Sequence, residues 1–157
     1  MIKTIYFGAG CFWGAEQAFD SMSLGLKTKV GYMGGDENKF PNPTYKDVCS
    51  NETGYIEVIK IEYEENKVSF EELLDKFWNI HDPTSMDRQG ADKGYQYKSV
   101  IFFTDKEQEK IAKESLEKRQ KIIGKKIVTE IKNAQTFYEA EEYHQKYYLT
   151  HNVSCNI

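Results

Sequence analysis

Gly8-Ala9-Gly10-Cys11-Phe12-Trp13-Gly14 follows a strand-like run at residues 3–8 and opens a helical pattern at 13–22. A strand passing directly into a helix is the start of an α/β unit, and these seven residues set that reading for the whole chain. Glycines at such a junction let the backbone turn sharply and let another molecule approach it closely, because they lack a Cβ. Cys11 then falls near a helix N-terminus, where unpaired amides and the positive end of the helix dipole favour an anion. A cysteine thiol titrates near ~8.5 in water, and this setting lowers it by about a unit or more, enough to make a nucleophile near neutral pH. Two bulky aromatics, Phe12 and Trp13, are hard to bury together at a turn, so they predict an apolar pocket beside the sulfur.

Outward from this junction the two periodicities alternate. Strands are expected at 27–33, 55–63, 98–103 and 126–131, and helices at 70–80, 105–122 and 138–149. Ser69 with Glu72, and Thr104 with Glu107, have the spacing of capping boxes, in which a hydroxyl and a carboxylate satisfy orphan amides reciprocally. Gly124 is placed to stop the third of these helices. Val100-Ile101-Phe102-Phe103 reads as a strand buried on both faces at the centre of a sheet. Segments 34–54 and 81–97 have no periodicity, and structureless loops of such length in a compact domain are usually functional. Pro41 and Pro43 stiffen the first and predict a fixed position for Tyr45. His81-Asp82-Pro83, Arg88-Gln89-Gly90-Ala91-Asp92 and Gln96-Tyr97 put polar groups on a constrained backbone in the second.

The chain has 157 residues, of which 39% are hydrophobic and 14% aromatic, with a formal net charge of −4. So many large aromatics argue for a folded domain rather than disorder, and the length and lack of repeats or linkers for a single domain over 1–157. The acidic balance argues against a nucleic-acid partner. No stretch approaches the roughly 20 apolar residues of a membrane span. The N-terminal residues run straight into a strand pattern without secretory-signal features, which predicts a cytoplasmic location. Three cysteines, Cys11, Cys49 and Cys155, lie far apart with no ligand-like spacing. That pattern argues against a disulfide framework or a metal site and for redox or nucleophilic chemistry. Cys49 itself reads as packing.

Gly10-Cys11-Phe12-Trp13-Gly14 resembles the signature of the peptide methionine sulfoxide reductase A family. Further matches occur in the order found in that family: Gly31-Tyr32-Met33-Gly34-Gly35, Asn42-Pro43-Thr44-Tyr45, Val48-Cys49-Ser50, Thr53-Gly54 ahead of Glu57, Phe77-Trp78, His81-Asp82-Pro83, Arg88-Gln89-Gly90, Asp92, Gln96-Tyr97 and Tyr143-His144-Gln145. The resemblance covers nearly the whole chain. It implies a two-layer α/β (α+β) sandwich with a mixed sheet, a ferredoxin-like core, helices packed on the sheet, long functional loops and an irregular C-terminal tail.

The resemblance also implies roles. Cys11 would attack the sulfur of the S epimer of methionine sulfoxide and end as a sulfenic acid. An oxide dianion cannot leave, so the oxygen must be protonated as its bond weakens; Glu57 would be the acid, with Tyr45 and Tyr97 on the same oxygen. The strand pattern around Glu57 puts it on one face with Tyr55 and Ile59, and burial there would keep its carboxyl protonated. Phe12 and Trp13 would cup the S-methyl group and select the epimer by shape, with Asp92 and His144 facing the substrate backbone. Cys155, in the tail, would resolve the sulfenic acid, and thioredoxin, or dithiothreitol in vitro, would reduce the resulting disulfide. No bound cofactor or metal is implied, and a monomer is expected. Two rival readings of the same residues are a cysteine hydrolase using His81 or His144 as base, and a thiol-based oxidant sensor without turnover.

Overall fold

The first strand, β1 (Ile2–Ala9), runs beneath α1 (Phe12–Asp20) and is separated from the next strand in sequence, β2 (Lys27–Met33), by β3 (Ile56–Glu64), which pairs antiparallel with both. This split β-α-β arrangement recurs on the other side, where α3 (Phe70–Asn79) leads into β6 (Ser99–Phe103), antiparallel to β1. The four strands in the order β6-β1-β3-β2 form the ferredoxin-like core. α4 (Lys106–Ile122) then crosses to β7 (Glu130–Asn133), which is parallel to β6, and β8 (Tyr138–Glu139) closes the far edge against β2, giving a mixed six-stranded sheet. Two short elements lie in the loops: helix α2 (Tyr45–Cys49) and the hairpin β4 (Arg88–Gln89) and β5 (Asp92–Lys93). The computed structural model describes residues 1–151, so Cys155 lies outside the described residues. Among the described residues no helix is long and apolar enough to cross a membrane.

Side-chain alternation sorts the core into two faces. Ile5, Phe7, Ile59, Ile61 and Ile101 meet Phe19 of α1 and Leu73, Leu74 and Phe77 of α3. On the reverse face Met33, Ile56, Val58, Val100 and Phe102 are covered by Tyr95, Ala134 and Phe137, without a helix. All five residues of β6 are buried, as expected, but β1 and β3 are the central strands and β6 lies beside them.

The Ser69–Glu72 capping box forms as read. At α4 the cap moves one residue: Asp105 accepts from the Gln108 amide at 2.8 Å, while the Thr104 hydroxyl donates to the Thr4 carbonyl at 2.8 Å. α4 stops because Ile123 turns extended, a residue before Gly124. The strand expected at 126–131 shifts to 130–133, because the Gln120 side chain holds the Ile127 amide and Val128 donates to the Pro83 carbonyl, leaving sheet pairing to begin at Glu130. The largest correction is the helix expected over 138–149. That stretch forms β8 and two 3₁₀ turns, Glu142–His144 and Tyr147–Leu149, with Lys146 left-handed between them at φ 52°. The Gln145 amide makes two bonds to the backbone of Val30, at 2.9 and 2.8 Å, in the manner of a strand partner, and the Lys146 amide donates to Glu16. These tertiary bonds replace the helical ladder.

His81 ties α3 to β6. Its Nδ1–H donates to the Phe77 carbonyl at 2.7 Å, which leaves Nε2 to accept from the Ser99 hydroxyl at 2.6 Å, and Thr129 donates to Ser99 in turn at 2.7 Å. Burial lowers its pKa from 6.5 to about 4. The unfolded chain therefore takes up this proton at a higher pH than the folded one, so the stabilisation is whole above pH 6.5 and is lost as pH falls towards 4. The shift is worth about 3 kcal/mol. Urea unfolding across that range should show this slope, and the slope should flatten in His81→Gln; an identical pH dependence in the variant would refute the assignment.

Candidate active site

Cys11 is the N-cap of α1, with its carbonyl accepting from the Ala15 amide at 3.2 Å. Gly10 precedes it at φ +83°, and a Cβ there would lie 2.8 Å from Cγ of Gln89. Glycine is therefore required twice, by the backbone angle and by the packing. Gln89 is fixed from below, its amide accepting from the Asp82 N–H and donating to the Asp82 carbonyl, both at 2.8 Å. The turn that presents the thiol thus rests on the second long loop.

Glu57 reaches the same helix end from β3. Its Oε1 accepts from the Phe12 amide, one of the orphan donors of α1, at 3.1 Å. The carboxyl is 1% exposed. Burial pushes its pKa well above the ordinary 4.5, the negative charge of Cys11 and that of Asp92 push the same way, and the Phe12 amide offsets part of the rise. Oε2 is buried and has no hydrogen-bond partner among the described residues. A buried polar atom without a partner is costly, on the order of 1–3 kcal/mol, and such atoms concentrate where a ligand completes the site.

Tyr45, Tyr97 and Asp92 close on this pair. Tyr45 opens α2, where a Thr44–Asp47 capping box forms, and its own amide donates to Glu141 Oε2 at 3.0 Å. Tyr97 ends a 3₁₀ turn, Tyr95–Tyr97. Burial raises both phenol pKa values, and the charge of Glu57 is the next cause for each. Burial also raises Asp92, on β5. Burial thus favours the neutral, hydrogen-bond-donating form of both phenols and of the Glu57 carboxyl.

Phe12 is buried, whereas Trp13 is half-buried. The His144 ring packs between Phe12, at 5.3 Å between centroids, and Tyr45, at 4.4 Å. The Trp13 Nε1–H donates to His144 Nδ1 at 2.9 Å, so the neutral ring carries its proton on Nε2, which is buried without a partner among the described residues. Burial lowers the His144 pKa, in keeping with that neutral form. Neither histidine of the hydrolase reading is set up as a base: His81 is spent between Phe77 and Ser99, and Nδ1 of His144 is spent on Trp13.

Several contributors escaped the sequence reading. Tyr147 stacks on Trp13 with centroids 4.0 Å apart and ring planes 12° off parallel; its place three residues after His144, on one edge of the pocket, was hidden by the helical reading of 138–149. Glu141 bridges the Tyr45 amide and the Tyr32 hydroxyl. Cys49, read as packing, has its thiol pKa raised by burial, with the side chains of Tyr45 and Gln96 acting to lower it. Cys155 falls outside the described residues.

Comparison with known proteins shows the family. The family model described as peptide methionine sulfoxide reductase matches residues 3–157. A peptide methionine sulfoxide reductase of Brassica napus is 55% identical over 141 residues, which is 90% of this chain and 54% of that protein, so the chain spans about half the length of this plant relative. The reduced form of Mxr1 from Saccharomyces cerevisiae superimposes with a TM-score of 0.93 at 37% identity, covering 98% of this chain and 89% of that one. The same yeast protein in complex with Trx2 matches with a TM-score of 0.66 at 28% identity, over 93% of this chain and 84% of that one. With its thiol at the head of α1, a buried carboxyl of raised pKa bonded to the same helix end and a family model matched along almost its entire length, the chain belongs to the peptide methionine sulfoxide reductase family.

Proposed function

We propose that the chain reduces the S epimer of methionine sulfoxide, protein-bound and free, to methionine. The observation that carries this reading is Glu57 Oε2: a buried carboxyl oxygen, without a partner among the described residues, on a group whose pKa burial and the Cys11 charge push up. A sulfoxide oxygen is the acceptor that such an O–H requires. Cys11 attacks the sulfoxide sulfur while Glu57 protonates the oxygen and Tyr45 and Tyr97 hydrogen-bond to it, so that the S–O bond breaks and the oxygen leaves as water. A water then attacks the Cys11 sulfur, breaking the new Cys11–sulfur bond to release the thioether and leave Cys11 as a sulfenic acid. Two electrons pass from the Cys11 sulfur, so a thiol and a sulfoxide become a sulfenic acid and a thioether. Phe12 and Trp13 hold the methyl group, and Asp92 and His144 face the substrate main chain.

Recycling consumes two more thiols. Cys155 attacks the sulfenic acid, releasing water and forming a disulfide with Cys11, and the dithiol of thioredoxin, or dithiothreitol in vitro, reduces it by exchange. The electrons travel through sulfur alone, so no bound cofactor enters the scheme. The chain is expected to act as a cytoplasmic monomer on oxidised proteins and peptides. The presence of Trx2 in the yeast complex supports the choice of reductant.

Loss of S-methionine sulfoxide from an oxidised peptide, with thioredoxin, thioredoxin reductase and NADPH, tests the scheme. Cys11→Ser should be inactive. Cys155→Ser should complete one turnover and stop; sustained thioredoxin-driven cycling by that variant would remove Cys155 from the mechanism. Glu57→Gln should slow the sulfoxide step by about 10²–10⁴ while leaving alkylation of Cys11 by a generic reagent nearly unchanged. Because the protonated carboxyl is the active form, single-turnover rates should fall as pH rises through its raised pKa, and this limb should vanish in Glu57→Gln. A rate insensitive to that substitution would sink the acid role.

A further inference from the structure

α1 buries a carboxylate among hydrocarbon. Phe12, Ala15 and Phe19 on its inner side are apolar, yet Glu16 between them has no exposed side-chain surface. Its Oε1 accepts from the backbone N–H of Lys146 at 2.8 Å. Its Oε2 accepts from the Thr28 hydroxyl at 3.1 Å and pairs with Lys146 Nζ at 3.1 Å. One turn further, Asp20 takes the same ammonium at 2.8 Å, together with the hydroxyls of Thr28 and Tyr148.

A buried ion pair is seldom more stabilising than apolar residues of the same volume, since desolvation offsets the attraction. Its use here lies in geometry. Lys146 is a non-glycine residue in the left-handed region, at φ 52°, a conformation that costs roughly 1–2 kcal/mol. Something must hold it, and Glu16 grips it by the backbone amide as well as by the ammonium. The held turn divides the two residues that frame Trp13: His144, which accepts from its indole N–H at 2.9 Å, and Tyr147, stacked on its face at 4.0 Å. Trp13 itself stands one turn before Glu16 on α1, so a single helix carries the ring and the anchor for its neighbours.

We propose that Glu16 is a positioning residue for the substrate pocket: by fixing the backbone of Lys146 it sets His144 and Tyr147 against Trp13, and so governs binding of the sulfoxide rather than the reactivity of Cys11. This rests on the reductase reading for its substrate, while the geometric part stands independently. The purified full chain is assayed with dithiothreitol and an S-methionine sulfoxide peptide, comparing wild type, Glu16→Met, Glu16→Gln and Lys146→Gly. Glu16→Met should raise KM about tenfold with kcat and Cys11 alkylation little changed. It should also red-shift tryptophan emission as Trp13 loses its cover and speed hydrogen exchange at the Lys146 amide. Glu16→Gln keeps an acceptor for that amide and should recover most of the wild-type KM. Lys146→Gly removes the ammonium, keeps the N–H and suits a left-handed angle, so its KM should stay near wild type while the carboxylates left unpaired lower its Tm. A Glu16→Met protein with a lowered Tm but unchanged KM, emission and exchange would overturn the positioning role. So would a Lys146→Gly protein as impaired as Glu16→Met, which would assign the effect to charge alone. An inactive wild type would overturn the reductase reading instead, with emission and exchange in Glu16→Met still deciding whether Glu16 holds the turn.

Discussion

One hydrogen bond, from the Phe12 amide at the head of α1 to the Glu57 carboxyl on β3, joins helix to sheet at the point where the thiol is presented. Everything reactive in the site is arranged around it. The helix end offers unpaired amides and the positive end of a dipole, both suited to an anion. Two candidates for that anion, Cys11 and Glu57, share the place. Their charges oppose each other: the Cys11 charge is the second cause of the raised Glu57 pKa, after burial. Burial and the neighbouring Cys11 charge both favour the neutral form of the Glu57 carboxyl.

The burial that sustains this conflict is supplied by three segments with little regular structure. The loop after β2 brings α2 and Tyr45, the loop after α3 brings Gln89, Asp92 and Tyr97, and the stretch after β8 brings His144 and Tyr147. Each is pinned by polar side chains bonding to backbone rather than by sheet or helix. Gln89 brackets Asp82, Glu141 holds the Tyr45 amide, Gln145 mimics a strand against Val30, and Glu16 seizes Lys146. Such bonds are directional and buried, so they fix irregular backbone at the cost of desolvating amides and carboxylates. The aromatic wall of Phe12, Trp13, Tyr45, His144 and Tyr147 is assembled from three separate parts of the chain by these means.

The amino-acid sequence by itself determined the elements governed by local rules. The glycine-flanked strand-to-helix junction at Cys11, the capping box at Ser69, the alternation of β3 and the apolar run of β6 depend on neighbours within a few residues, and they form where the pattern puts them. The ordered motifs also carried the family and the choice of Cys11 and Glu57. Tertiary structure decided the rest. Tyr143 and Tyr147 have helical spacing, but Gln145 bonds to Val30 across 115 residues and Lys146 to Glu16 across 130, and those contacts outweigh the local preference. The raised pKa of Glu57, the tautomer of His144 and the cover over Trp13 were likewise fixed only on folding. Each depends on which distant groups exclude water from the site, and periodicity along the chain carries no information about that.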